Sequence, residues 1–169
     1  EAPVQLNTYF PQFKAFWAAE VVTGTIHNIY TTRGAAVRNA LNWSKVINEA
    51  LYKFGGEAEV MFASHSWPRW GNERIQEVMR TQRDAYANLN NQTLHYVNQG
   101  VTINEIHNVY EVPQSLQQSW AARSYHGDVR NNVRGVVNRF IGHFDGKKYT
   151  PDHPGKHRVH WGPYYALSL

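Results

Sequence analysis

Three side chains of the first 65 residues, Glu1, Glu20 and His65, combine donor chemistry with suggestive placement. Glu20 and His65 each stand where a short apolar run gives out, and Glu1 opens the sequence just ahead of the first strand-like run. Val60-Met61-Phe62-Ala63 ends in Ser64-His65-Ser66, and "FKAFWAA", residues 13–19, ends in Glu20. The end of a strand is rigid and opens onto a cleft, so it is a good place to hold a ligand. Two carboxylates and an imidazole make a hard-to-borderline set that suits a metal such as zinc. The same residues also fit a hydrogen-bonded structural histidine and an unremarkable chain terminus. There are no cysteines, so disulfides and thiolate sites are excluded, and any metal must be held by histidine and carboxylate.

A second group lies in "HNIYTTRG", residues 27–34. The guanidinium fork of Arg33, with Asn28 and neighbouring hydroxyls, suits a tetrahedral oxyanion such as sulfate or phosphate. The alternative is a polar loop whose arginine makes a surface ion pair. In "HPGKHRVH", residues 153–160, His157 and His160 could share a metal on a helix, but the surrounding prolines and glycines favour a solvated tail. His27, His95, His107, His126 and His143 share no spacing and are assigned no chemistry. Phosphate-cradling, dinucleotide-binding and Gly-x-Ser-x-Gly motifs are absent.

The elements that must position these groups follow from periodicity. Residues 4–10 read as a strand stopped by Pro11, and residues 36–54 as a helix ended by Gly55-Gly56. Residues 59–64 read as a strand. Beyond Trp70 the pattern turns wholly helical. Asn72 is placed to cap a long helix that Gly100 stops, and "TINE", residues 102–105, is a capping box. Pro113 suits the first turn of a helix running to about Arg123, and Asp128 can cap a last one ending at Gly142. The expected organisation is α/β followed by all-α: residues 1–70, a helical unit at 71–146, and an unassigned tail at 147–169. "WPRWG" reads as the hinge between the first two.

Composition sets the bounds. Of 169 residues, 42% are hydrophobic and 14% aromatic, which is enough for a packed core. The net charge of +4 is scattered, with no basic run, so a nucleic-acid groove is not indicated. No apolar stretch approaches the length of a membrane span. The chain lacks an initiator methionine, so Glu1 need not be a natural start.

Three long stretches, "TGTIHNIYTTRGAAVRNALNWSKVINEAL", "SHSWPRWGNERIQEVMRTQRDAYANLNNQTLHYVNQG" and "VNRFIGHFDG", resemble the alkylsulfatases of the metallo-β-lactamase superfamily, in the right order and across nearly all of residues 1–146. The resemblance implies the end of a metallo-β-lactamase-like αββα catalytic domain joined to a helical dimerisation domain. It implies a two-zinc site in which Glu1, Glu20 and His65 are ligands, and a sulfate-binding loop carrying Asn28 and Arg33. It implies hydrolysis of alkyl sulfate esters to alcohol and sulfate, a homodimer, and a periplasmic or secreted bacterial setting. The superfamily's His-x-His-x-Asp-His motif is missing here, so those ligands would lie upstream of Glu1 or on a companion chain, and this chain alone is expected to be inactive. Where the family carries a further sulfate-contacting tyrosine, Val137 stands. The alternative of a different class is a non-catalytic helical dimerisation or interaction module.

Overall fold

A computed structural model describes residues 5–31 and 35–142. Glu1, Arg33 and the 147–169 tail with His157 and His160 lie outside the described residues. The first strands are short. β1 (Thr8–Phe10) pairs antiparallel with β2 (Ala15–Trp17) across a 3-10 turn at Pro11–Phe13. Of the strand expected over residues 4–10, the described part, residues 5–10, is strand only at its end, because among those residues only Thr8 to Phe10 pair with β2.

The chain then crosses over through α1 (Ala40–Ala50) and a π-helical turn at Leu51–Gly55 to β3 (Val60–Ala63), which lies parallel to β2. The helix was expected from residue 36. It begins at 40 because Asn39 caps it, its side chain accepting from the Asn42 N–H at 3.0 Å. Just before the cap, the Arg38 N–H donates to the Ile29 carbonyl at 3.0 Å instead of joining the helix. β4 (Ser66–Trp70) returns antiparallel on β3, completing the sheet order β1-β2-β3-β4. "WPRWG" is therefore not a free hinge. Most of it is a strand at the sheet's edge, where Pro68 is tolerated and where Trp67 and Trp70 are exposed.

Gly71, at φ +93°, turns the chain from β4 into α2 (Asn72–Asn98). A side chain rarely adopts that φ. Asn72 does not cap this helix. Its amide donates to the carbonyls of Gly55 and Ala58 at 2.7 and 2.9 Å, tying the helix start to the end of the crossover. Then come α3 (Ile106–Val109), α4 (Gln114–Gln117), a 3-10 turn at Trp120–Ala122 and α5 (Val129–Ile141). Only half of the "TINE" box forms: the Thr102 hydroxyl and N–H are both on the Glu105 carboxylate, but the Glu105 N–H donates to the Thr102 carbonyl instead of the hydroxyl, and α3 is capped at Glu105. Asp128 caps α5 by accepting from the Asn131 N–H at 2.9 Å. The helix after Pro113 stops at Gln117 rather than Arg123, and a 3-10 turn takes over. Among the described residues, no named strand follows α2.

One apolar core runs through both parts. Phe16 and Met61 of the sheet, Trp43 and Ile47 of α1, Ile75, Met79 and Tyr86 of α2, and Val133 and Val136 of α5 belong to a single buried cluster. Trp43 and Tyr86 stack with ring centroids 4.6 Å apart. Burial of rings this size supplies much of the driving force for folding. The change of character at residue 70 is a change of secondary structure, and the core continues across it.

Candidate metal centre

Parallel strands end on the same edge of a sheet. β2 and β3 are paired Ala15 to Val60, Phe16 to Met61 and Trp17 to Phe62, so the residues just past each strand must come together. The chain stays clamped beyond the strands, the Ala18 N–H on the Phe62 carbonyl at 2.9 Å and the Ser64 N–H on the Ala19 carbonyl at 2.8 Å. Ala19 sits at φ +47°, a left-handed conformation that costs an alanine about 1 kcal/mol. It directly precedes Glu20. The outcome is that Glu20 Oε1 lies 3.0 Å from His65 Nε2.

Glu20 has two further neighbours. Arg38 approaches its other oxygen at 3.4 Å, and His27 Nε2 stands 3.7 Å from that same oxygen. His27 is buried. Its Nδ1 lies 3.0 Å from the Asn28 carbonyl. Only a protonated nitrogen can bond a carbonyl, so Nδ1 carries the hydrogen and Nε2 presents a lone pair to the site. That Nε2 is buried and makes no hydrogen bond. His126 completes the group from the turn before α5, its ring centroid 4.4 Å from His65 and 4.5 Å from His27.

Electrostatics follow from this packing. Partial burial pushes the Glu20 carboxyl up, but the hydrogen bond from His65 and the charges of His27, Arg38 and His65 outweigh it and hold the group below its ordinary value. Burial drives His27 down to about 4, against the smaller upward pull of the Asn28 carbonyl. It also lowers His126, helped by the neighbouring His65. The pocket therefore holds an ionised carboxylate and a neutral imidazole at neutral pH.

These donors fit a zinc ion. His27, His65 and His126 each offer one nitrogen, all within 4.8 Å of one another, somewhat wider than the spacing of about 3.3 Å that ligands adopt on one tetrahedral zinc. An orphaned, buried lone pair on an imidazole whose other nitrogen donates to a carbonyl is the arrangement a metal ligand requires.

Of the residues singled out from sequence, the structure brings Glu20 and His65 together. Asn28 is adjacent through its backbone, its carbonyl receiving both His27 Nδ1 and, at 2.8 Å, the Arg38 guanidinium. Glu1 and Arg33 lie outside the described residues. Sequence reasoning passed over His27, Arg38 and His126. The one available signal was general: nine histidines in a chain without cysteine. His27, His65 and His126 share no short motif, and only the tertiary fold makes them neighbours.

Residues 102–154 match the family model described as alkyl sulfatase dimerisation. Over 90% of its length the chain is 39% identical to an (R)-specific secondary-alkylsulfatase from a Pseudomonas species, covering 23% of that protein. It is 39% identical to the alkyl/aryl-sulfatase BDS1 of Saccharomyces cerevisiae, over 86% of this chain and 22% of that protein. Its fold superposes on the solved structure of Pisa1, a stereoselective inverting sec-alkylsulfatase from Pseudomonas, with a TM-score of 0.82 and 37% identity over 94% of this chain and 26% of that one. The chain thus spans about a quarter of the length of the relatives it matches. By sequence and by fold the chain is similar to one part of the alkylsulfatases, and residues 102–154 match the model of their dimerisation segment.

Proposed function

We propose that this chain forms part of a zinc-dependent alkylsulfatase that hydrolyses alkyl sulfate esters to alcohol and sulfate. The observation that carries the reading is the 3.0 Å approach of Glu20 to His65 at the shared edge of two parallel strands, in a chain related to alkylsulfatases. The sheet and its α1 crossover would be the closing part of a metallo-β-lactamase-like domain. Glu20 and His65 would hold zinc, with Glu1 from the segment ahead of β1 and His27 Nε2 aimed into the same space. Bound zinc would supply Lewis-acid activation of water and positive charge facing the sulfate.

The remaining work falls to side chains. Asn28 and Arg33 would bind the sulfate, which carries its charge on equivalent oxygens that a guanidinium fork can meet in pairs. Arg38, fixed by Glu20 and the Asn28 carbonyl, holds that loop against the carboxylate and adds positive charge. In this reading His126, whose ring makes no hydrogen bond to another described residue, stands beside the metal and not on it, and serves as the proton carrier. It would give a proton to the bridging ester oxygen as the bond to that oxygen breaks, and regain one from the water that ends up in the product. The upstream half of the catalytic domain and a second copy of the chain are the partners this reading requires. No helix among the described residues is long and apolar enough to cross a membrane.

The test is steady-state hydrolysis of a medium-chain alkyl sulfate by the complete protein, with zinc measured on the same samples. Turnover that disappears on chelation and returns with zinc is the expected result. A zinc-free protein with no sulfatase activity that still dimerises would replace this reading with that of a helical interaction module.

A further inference from the structure

Within this reading, His126 poses a problem of delivery. Glu20, His27 and His65 come from the sheet side of the molecule. His126 comes from the helical segment, on a turn with no strand of its own to hold it. Its place depends on how residues 123–132 are fastened to the loop at 26–29.

The fastening is specific. The Ile26 N–H donates to the Arg123 carbonyl at 3.1 Å, and the Gly127 N–H donates to the Ile26 carbonyl at 2.8 Å. Asn132 is fully buried on α5. Its amide spends both ends on the loop, Nδ2 donating to the His27 carbonyl and Oδ1 accepting from the Ile29 N–H, each at 2.9 Å. Gly127 lies so close that a Cβ there would stand 2.3 Å from the His27 carbonyl carbon and 2.6 Å from the Asn28 nitrogen. Both are backbone atoms, with no flexible end to move aside.

We infer that Gly127 and Asn132 are positioning residues for the sulfatase site: they dock the helical segment on the His27–Ile29 backbone and thereby set His126 against His65. The dimerisation segment thus does more than join two copies. It supplies a working imidazole and the two residues that place it. This inference rests on the role given to His126 above, and the experiment separates the two.

The experiment is a double-substitution cycle in the complete, zinc-loaded protein, with Gly127→Ala, His126→Ala and the pair. A misplacement of about 1 Å can cost on the order of 100-fold, so Gly127→Ala should lower kcat by roughly that factor with zinc content unchanged. If Gly127 acts through His126, adding Gly127→Ala to His126→Ala costs no more than about threefold, whereas independent losses would multiply. Hydrogen exchange at the Gly127 and Ile29 amides should speed up in Gly127→Ala, whatever the activity. Gly56→Ala is the control, because a Cβ there meets nothing within 4 Å. If Gly127→Ala does not fold, Asn132→Asp takes its place in the same cycle, keeping the acceptor for Ile29 and losing the donor to His27. A kcat within about threefold of the unmodified protein, or losses that multiply, overturns the positioning role alone. Full activity in His126→Ala overturns both readings.

Discussion

Glu20 Oε1 and His65 Nε2 are 3.0 Å apart although 45 residues separate them in the chain. The relationship is a consequence of parallel pairing between β2 and β3, with α1 filling the crossover between them. If the pair holds zinc, Glu20→Gln in the complete protein should leave zinc substoichiometric. Loss of a metal site's outer hydrogen-bond partner typically costs 10–100-fold in affinity or activity. Loss of a ligand should exceed that, so kcat/KM should fall by more than about 100-fold. Zinc analysis together with kinetics checks this, and full zinc occupancy in the variant would remove Glu20 from the ligand set.

Arg33 tests the sulfate-binding segment independently of the metal. Arg33→Lys keeps the charge but loses the planar fork, and should raise KM. Arg33→Ala should cost about 2–4 kcal/mol in kcat/KM, the range for removing a charged binding partner. Zinc content should stay normal in both. A surface ion pair would instead leave kcat/KM within about threefold.

The pocket makes stability depend on pH. His27 is held at about 4, well below its ordinary 6.5, so the unfolded chain takes up a proton first as pH falls. Its contribution is fully present above about 6.5 and is lost between there and 4, up to about 3 kcal/mol. Glu20, also held low, adds a loss of the same sign at more acid pH. The groups facing His27 are Glu20, Arg38, His65 and His126. Urea unfolding of the chelated, metal-free protein at pH 7 and pH 4.5 should show the decline, and His27→Gln should flatten it. A stability that does not change over this interval would contradict the assignment.

Gln82 is a stability determinant without chemistry of its own. It is fully buried on α2. Its oxygen accepts from the Thr23 N–H at 3.2 Å, and its amide faces the carbonyls of Thr23, Thr25 and Ala121 at 2.7, 3.0 and 3.2 Å. Gln82→Leu strands these groups in the core and should cost about 2–4 kcal/mol, read as a lower urea midpoint at unchanged slope.

The complete protein should sediment as a dimer at micromolar concentration, as the match of residues 102–154 to the dimerisation family suggests. A monomer under those conditions would show that the match to the dimerisation family does not carry self-association here.

Local chemistry was legible in the sequence wherever it acts over a few residues. The Asp128 cap, the Thr102–Glu105 carboxylate contact, the long periodic helix and the strand leading to His65 follow from spacing and propensity alone. So does the placing of Glu20 and His65 at the ends of apolar runs. Asn72 shows the limit: it looks like a helix cap, yet two carbonyls of the crossover claim its side chain. The site's full membership was decided only in three dimensions. His126 reaches it because Asn132 and Gly127 dock α5 on the loop at His27, and Arg38 because residues 35–39 stay out of α1. A metal or an oxyanion selects donors by distance and direction. Distances between residues so far apart in the chain are set by core packing, which the order of residues along the chain does not display.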